Sequence, residues 1–335
     1  MFYKKKKILV IGGTGEIGRK IIEKLMVEEP ELIRLFSRDE HKQYLLDNEL
    51  GSNSRLEFMI GDVRDYDRVL SAMQGIDYVF HLAAMKHVPS CEFNPYEAVQ
   101  TNIHGTYHVV RAANEQNVKK VIFTSSDKAI SPTNTYGSTK LIAERLITAT
   151  EHSSGKGDTV FASVRFGNVM GSRGSVIPLF KKQILDHSKI TVTDHNMTRF
   201  MMTLNQATDL TMKALQEANG GEVFVLKMPV IRLKDLSTIV VEEMCQKHQL
   251  DSNQIIIEEH GLRPGEKMYE ELMTYDESTT ALDLGDMFVI PGQGVMDDQT
   301  YAEASRVEYG TYSSSQQKPL KLEELRVLLM KEKLF

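Results

Sequence analysis

The chain has 335 residues, with 40 lysines and arginines against 46 aspartates and glutamates, a net charge of −6 and 41% hydrophobic residues. That balance suits a globular protein with one large domain, or a main domain and a smaller lobe, and gives no reason to expect nucleic-acid binding. Two cysteines, Cys91 and Cys245, form neither a disulfide framework nor a metal-ligand spacing, and no apolar run reaches ~18 residues, so no metal, no transmembrane segment and a reducing compartment are expected.

In chain order, Lys4-Lys5-Lys6-Lys7 reads as the solvated flank of a first strand, Ile8-Leu-Val-Ile11, whose continuous apolar character marks a buried parallel strand. The chain passes straight from charge into this strand, so no signal peptide is expected. Gly12-Gly-Thr-Gly15-Glu-Ile-Gly18 follows, leading into a helix that runs to about Glu28. Further strands are expected at 33–36, 56–60, 78–80, 121–124 and 161–164, with helices around 64–73 and 95–117 and another opening at Tyr136. Strands alternating with helices at this rhythm predict an α/β fold, a Rossmann-type doubly wound parallel sheet. Residues 1–165 would form the dinucleotide-binding domain. Residues 166–335 would form mainly a smaller C-terminal substrate lobe, with a returning segment near 195–225 that packs on the first domain. Ser313-Ser314-Ser315-Gln316-Gln317 reads as a short polar linker, and residues 320–334 read as helical.

The glycine spacing between strand and helix predicts a pyrophosphate cradle built from Gly12, Thr14, Gly15, Glu16, Ile17 and Gly18. The second strand ends Ser37-Arg38-Asp39, which favours the 2′-phosphate of NADP over the ribose hydroxyl of NAD, although Asp39 keeps NAD open. Asp62 and Val63 are expected at the adenine edge, and Ala83 and Ala84 where a dinucleotide backbone passes close. Tyr136 and Lys140 stand one helical turn apart on one face, where the ammonium should lower the tyrosine pKa. Such a phenol can take a hydroxyl proton while a nicotinamide takes the hydride. Ser125 or Ser126, at the carboxyl end of a strand, can reach the reacting sugar, and Asp127-Lys128 beside them adds a second acid/base pair. Oxidation alone does not need that pair, whereas elimination of water does.

With these residues in place the chain resembles the UDP-N-acetylglucosamine 4,6-dehydratases of the extended short-chain dehydrogenase/reductase superfamily. The resemblance runs over nearly the whole chain and rests on Phe36-Ser-Arg-Asp39, Gly61-Asp-Val-Arg-Asp65, Ala84-Met-Lys-His-Val-Pro-Ser-Cys-Glu-Phe-Asn-Pro95, Ser126-Asp-Lys-Ala129, Arg165-Phe-Gly-Asn-Val169, Gly171-Ser-Arg-Gly-Ser-Val176, Asp194-His-Asn-Met-Thr-Arg-Phe200 and Arg263-Pro-Gly-Glu-Lys267. It implies that Tyr136, helped by Lys140, removes the C4 hydroxyl proton. Lys128, with a pKa depressed by burial or a nearby cation, is then the base at C5. Protonated Asp127 is the acid at the C6 hydroxyl, and Ser126 supplies the hydroxyl that many relatives carry as threonine. The resemblance places Met85, Lys86 and His87 near sugar and nicotinamide, with Lys86 also toward the cofactor. Asn168 and Val176 fall at the substrate, Arg199 and Arg263 at the diphosphate, and Glu266 at the uridine ribose. It also implies a homo-oligomer, in the range of a hexamer, while a nucleotide-sugar substrate and the absence of targeting signals make the cytoplasm the expected location. The tyrosine at 136 leans towards inversion at C5, with retention as the alternative. A UDP-sugar 4-epimerase or reductase would keep Tyr136 and Lys140 but have no use for Asp127-Lys128, and a non-catalytic NADP sensor would be expected to lose Tyr136 or Lys140.

Overall fold

A computed structural model of the chain describes residues 1–150, 159–172, 174–292, 301 and 303–335. Arg173, inside the Gly171–Val176 motif, lies outside the described residues. The first half alternates as its pattern predicts: β1 (Lys7–Ile11), α1 (Glu16–Val27), β2 (Leu32–Ser37), α2 (Glu40–Leu50), β3 (Leu56–Ile60), α3 (Tyr66–Ala72) and β4 (Tyr78–His81). Two short helices follow, α4 (Val88–Phe93) and α5 (Pro95–Ala98), and then a π-helical segment Val99–His104 that leads without a break into α6 (Gly105–Glu115). The helix expected over 95–117 is therefore present but changes pitch inside, a feature often found at functional sites. β5 (Lys120–Thr124), α7 (Thr135–Thr148) and β6 (Val160–Arg165) complete the predicted series.

The main sheet has ten strands among the described residues. Its parallel part runs β3-β2-β1-β4-β5-β6-β7, where β7 is Val223–Leu226, and the order reverses between β1 and β4. The carboxyl ends of the strands at such a reversal form the natural ligand crevice. Beyond β7 the sheet turns antiparallel through Met287–Ile290, Leu282–Asp283 and Ser305–Arg306. One apolar cluster on this sheet takes in Ile21, Ile22 and Leu25 of α1 together with Ala207, Met212, Ala214 and Leu215 of the helix Leu204–Glu217. The Tyr3 hydroxyl donates to the Met212 carbonyl at 2.8 Å, tying that returning helix to the N-terminus. At the surface, Lys4 pairs with Glu29 at 2.8 Å and Lys7 with Glu31 at 3.2 Å, as a solvated flank should.

A separate apolar cluster lies outside the sheet. It joins Ile177, Phe180 and Ile184 of the helix Val176–His187 to Leu236, Ile239 and Val240 of the helix Leu233–His248 and to Leu325 and Leu329 of the helix Leu322–Lys331. The C-terminal helix is thus a packed element, held further by Arg326 against Glu242 and Glu243. The expected polar linker at 313–317 is corrected: Tyr312–Ser313 pairs with Glu271–Met273, and Ser313 and Ser314 are buried. Serine tolerates this because its hydroxyl finds partners, here Thr198 and the Glu270 amide for Ser314.

Candidate active site

Along the carboxyl ends of the parallel strands runs a cleft of about 1030 Å³. At one end the loop after β1 forms its floor. Gly12 has φ +83°, and a Cβ there would stand 2.8 Å from the Ala83 amide nitrogen, so only glycine lets the β1 and β4 loops close on each other. Gly15 caps α1 and brings no side chain over the helix's N-terminus, whose dipole favours an incoming anion. Thr14, Glu16, Ile17 and Gly18 line this end with Gly12 and Gly15, and Ser37, Arg38, Val63, Ala83 and Ala84 continue the wall. These residues fit a dinucleotide. The sequence placed Asp62 in the same wall, but its carboxylate is engaged elsewhere, by Arg64 at 2.7 Å and Arg38 at 3.5 Å, and Asp62 is not among the lining residues. Asp39 caps α2, accepting from the Lys42 amide at 3.0 Å and pairing with its ammonium at 2.5 Å. Asp39 is thus tied to its own helix while still lining the cleft, and the Arg38 side chain is well exposed beside it.

The other end holds the acid/base residues. α7 starts at an Asn134 cap that accepts from the Gly137 amide at 2.8 Å, and its inner face carries Tyr136 and Lys140, both buried. A Cβ at Gly137 would lie 2.1 Å from the Lys128 carbonyl oxygen, so this glycine lets α7 pack directly on the turn Asp127–Ala129. That close approach brings the Tyr-x-x-x-Lys helix and the Asp127-Lys128 pair to one place. Lys128 Nζ lies 3.0 Å and 3.2 Å from the Asp127 carboxylate oxygens, and the Ser126 hydroxyl donates to Asp127 Oδ1 at 2.7 Å. Met85, Lys86, His87 and Asn168 border the same cleft, as do Ser125 to Lys128, Tyr136 and Lys140.

The electrostatics revise two expectations. The Tyr136 pKa is raised, chiefly by burial and also by the Asp127 and Cys91 charges, against a lowering by the Ser126 hydrogen bond and the Lys128 charge, so the cation favouring its phenolate is Lys128. Lys140 instead donates to the Thr124 carbonyl at 2.5 Å and sits 4.0 Å from the Phe123 ring centre, with burial bringing its pKa down to about 7. Nor is the Lys128 pKa depressed. Burial favours the neutral amine, but Asp127 and Glu270 outweigh it and hold the ammonium. Glu270 was not expected from the sequence. It is buried, with Oε1 3.3 Å from Lys128 Nζ and 3.3 Å from Arg199 Nε, and Oε2 accepting from Asn168 at 2.9 Å. Burial and the Asp127 charge push its carboxyl up to about 7. Asp127 moves the other way: burial favours protonation, but the Lys128 charge and hydrogen bonds from Glu270, Ser126 and Lys128 keep it ionised. Two carboxyls that cannot both ionise freely thus split into an anion and a group that titrates near neutrality.

A family model described as polysaccharide biosynthesis protein matches residues 8–292. The chain belongs to this family. Among solved structures it is similar to Pen from Bacillus thuringiensis, with 57% identity, a TM-score of 0.95 and full coverage of both chains. It is 47% identical over 294 residues to an uncharacterized membrane protein of Methanocaldococcus jannaschii, covering 88% of each chain. It is 40% identical over 335 residues to a UDP-glucose 4-epimerase of Rickettsia bellii, covering 97% of this chain and 95% of the relative. Among the described residues no helix is long and apolar enough to cross a membrane.

Four substrate contacts expected from the resemblance are not brought to the cleft wall of this family member. The Arg199 guanidinium is used internally, donating to the carbonyls of Thr198, Lys267 and Met268 and pairing with Glu270, which leaves no open fork for a diphosphate. Arg263 lies in an exposed loop, where its amide donates to Glu266 Oε2 at 3.2 Å. Glu266 also accepts from Thr193 at 3.3 Å. Val176 begins the helix Val176–His187 and packs against the second apolar cluster. The Arg263–Lys267 motif works here as a staple. Lys267 Nζ donates to the Ile130 and Ser131 carbonyls, and the Gly265 carbonyl accepts from Thr133 and Asn134, next to the start of α7. Asn102, which the sequence reading passed over, uses the π segment to fix the cleft wall. It accepts from the Met85 amide at 2.8 Å and donates to the Met85 carbonyl at 3.0 Å and to Thr139 at 2.9 Å. The asparagine within a helix long enough to bend was the available signal.

Proposed function

We propose that the chain is an NADP-dependent UDP-N-acetylglucosamine 4,6-dehydratase that forms a UDP-4-keto-6-deoxy sugar, with inversion at C5. The observation that carries this reading is the Asp127-Lys128 pair beside Tyr136 at one end of a dinucleotide-shaped cleft. The engaged Asp39 and the exposed Arg38 support NADP. A bound nicotinamide supplies the capacity to accept a hydride from C4 and return it to C6. Tyr136 takes the C4 hydroxyl proton, with Ser126 and Lys128 favouring the phenolate. The 4-ketone then acidifies the C5 hydrogen.

Elimination requires Lys128 neutral and Asp127 protonated. That state holds the same number of protons as the resting ion pair, so one transfer from Lys128 Nζ to an Asp127 oxygen 3.0 Å away prepares both groups. Lys128 then accepts the C5 proton as the C6–O bond breaks, and Asp127 gives its proton to the departing oxygen. Water leaves, and Lys128 and Asp127 return to ammonium and carboxylate; the enolate left once C6 is reduced takes its C5 proton from the Tyr136 phenol, which thereby returns to phenolate. Burial of Asp127 favours the neutral acid, but the Lys128 charge and the hydrogen bonds Asp127 accepts hold it as the carboxylate at rest, so the acid forms only by the transfer from Lys128.

The name of the Rickettsia relative favours a second reading, a UDP-sugar 4-epimerase. It accounts for Tyr136 but leaves the Asp127-Lys128 pair with no proton to move. The test is the purified chain with NADP and UDP-N-acetylglucosamine, followed by proton NMR. The proposal expects a new C6 methyl signal. Conversion to the C4 epimer with no methyl signal would replace it with the epimerase reading.

A further inference from the structure

Two glycines frame the stretch that leads into the helix Val176–His187, and each has another residue's side chain standing where its own Cβ would be. At Gly171 (φ +70°) a Cβ would lie 2.4 Å from Leu334 Cδ2, and the next two atoms, at 3.7 Å and 3.8 Å, also belong to Leu334. At Gly174 (φ +75°) it would lie 2.5 Å from His87 Cε1. Ser172, Gly174, Ser175 and His87 border the cleft, whereas Gly171 and Leu334 do not. One end of the stretch therefore meets the opposite cleft wall, and the other rests on a residue far along the chain.

Leu334 is itself firmly placed. The helix Leu322–Lys331 closes on a left-handed Lys333 (φ +53°), and the Leu334 amide donates back to the Leu329 carbonyl at 3.2 Å. The Leu334 carbonyl accepts from Lys181 Nζ on the second turn of the helix Val176–His187, and that ammonium lies 5.4 Å from the Phe335 ring centre. Leu334 and Phe335 both pack against the three-helix apolar cluster. The backbone of the stretch bonds mainly to itself: the Ser172 amide donates to the Val169 carbonyl at 3.4 Å and the Ser175 amide to the Ser172 carbonyl at 2.9 Å.

We propose that Leu334 is a positioning residue for the sugar nucleotide: a strut that carries the rigidity of the three-helix cluster to Gly171 and so sets where Ser172, Gly174 and Ser175 stand against His87. This rests on the reading of the acid/base end of the cleft as the sugar-nucleotide site. Leu334 touches neither sugar nor cofactor. Removing its side chain empties the space over Gly171, and a left-handed glycine with only local backbone bonds then has other conformations open to it. A wall that samples several positions is binding-competent for a smaller fraction of the time, and apparent affinity falls by that fraction. The loop after β1 floors the other end of the cleft, away from this stretch, so NADP affinity should not follow.

The experiment compares Leu334→Ala with Leu328→Ala in the full chain. Leu328 is also half-buried and packs on the same cluster, so it reports what loosening that cluster does by itself. Without ligand, hydrogen exchange at the Ser172 and Ser175 amides should run about 3–30-fold faster in Leu334→Ala and near wild type in Leu328→Ala. The Kd for UDP-N-acetylglucosamine, by calorimetry in the absence of NADP, should rise about 3–30-fold in Leu334→Ala, with the Kd for NADP near wild type. Leu334→Met, which conserves volume, should keep both readouts near wild type. Lys181→Met frees the Leu334 carbonyl and should move both readouts the same way by less, which supplies the test if Leu334→Ala does not fold. Equal changes in Leu334→Ala and Leu328→Ala overturn the proposal, as does an unmoved exchange rate or an equal weakening of NADP and sugar nucleotide. Failure of the wild-type chain to bind UDP-N-acetylglucosamine, with exchange behaving as expected, removes the sugar-nucleotide reading and leaves the Leu334 strut standing.

Discussion

Two buried charge networks stand in this molecule and do opposite things. In the first, Arg165 at the end of β6 is completely buried and bonded to Glu144 of α7 at 2.5 Å and 2.8 Å and to Glu277 at 2.8 Å and 2.9 Å. Its remaining bond goes to the Leu272 carbonyl. Burial disfavours the Arg165 charge, but the two carboxylates outweigh it, and Glu277 in turn is held ionised by Arg165 against its own burial. In the second, Asp127, Lys128, Glu270 and Arg199 also pair acid with base, but the Lys128 side chain keeps about a third of its surface exposed (31%) and borders the cleft, and one carboxyl titrates near 7. A network in which each charge is fixed braces the scaffold. One in which a proton has more than one place to sit, next to a cleft, is equipped for chemistry.

Four substitutions separate the two networks. The largest effect is expected from Lys128→Met, which should lower turnover by about 10²–10⁴-fold while thermal unfolding stays near wild type; loss of fold instead would make Lys128 part of the scaffold. Arg165→Ala should do the reverse. It strands two carboxylates in the interior and should cost about 3–5 kcal/mol in urea unfolding, and a cost under about 1 kcal/mol would sink the bracing role. A surface charge bounds the comparison from below: Arg38→Ala should raise KM for NADP by about 10–100-fold and leave KM for NAD in place, since a charge-assisted bond is worth about 1.5–3 kcal/mol. Equal effects on both cofactors would remove the NADP assignment. The smallest change is expected from Ser314→Ala, which removes one clamp on Glu270. About 1 kcal/mol of stability should be lost, with turnover near wild type, and a collapse of turnover would place the clamp in the reactive cluster itself.

How much was legible beforehand follows from the range over which each feature is encoded. Parallel strands buried on both faces read as short apolar runs, so Ile8–Ile11 and its successors could be taken from the sequence directly. The antiparallel edge could not, because Leu282–Asp283 and Ser305–Arg306 are two-residue strands with no periodicity to detect. The same holds in the site. The glycine turn after β1, Asp127-Lys128 and Tyr136-Lys140 are local patterns, and their residues line the cleft. Glu270 owes its role to Asn168 and Ser314, 102 and 44 residues away, and alone it is one glutamate beside another. Arg199 was misread for the same reason: a guanidinium looks identical in sequence whether carbonyls surround it or a diphosphate does. The pKa of Lys128 was misjudged because its second carboxylate was invisible until the chain folded.

The central claim is that the cluster around Lys128 carries out an elimination within an internal redox cycle. UDP-N-acetylglucosamine bearing deuterium at C4, turned over with catalytic NADP in ordinary water, tests it most directly. The account expects that deuterium in the C6 methyl group of the product, with hydrogen from solvent at C5. Deuterium retained at C4 of an epimerised sugar, or lost to the cofactor pool with no methyl group formed, would contradict it.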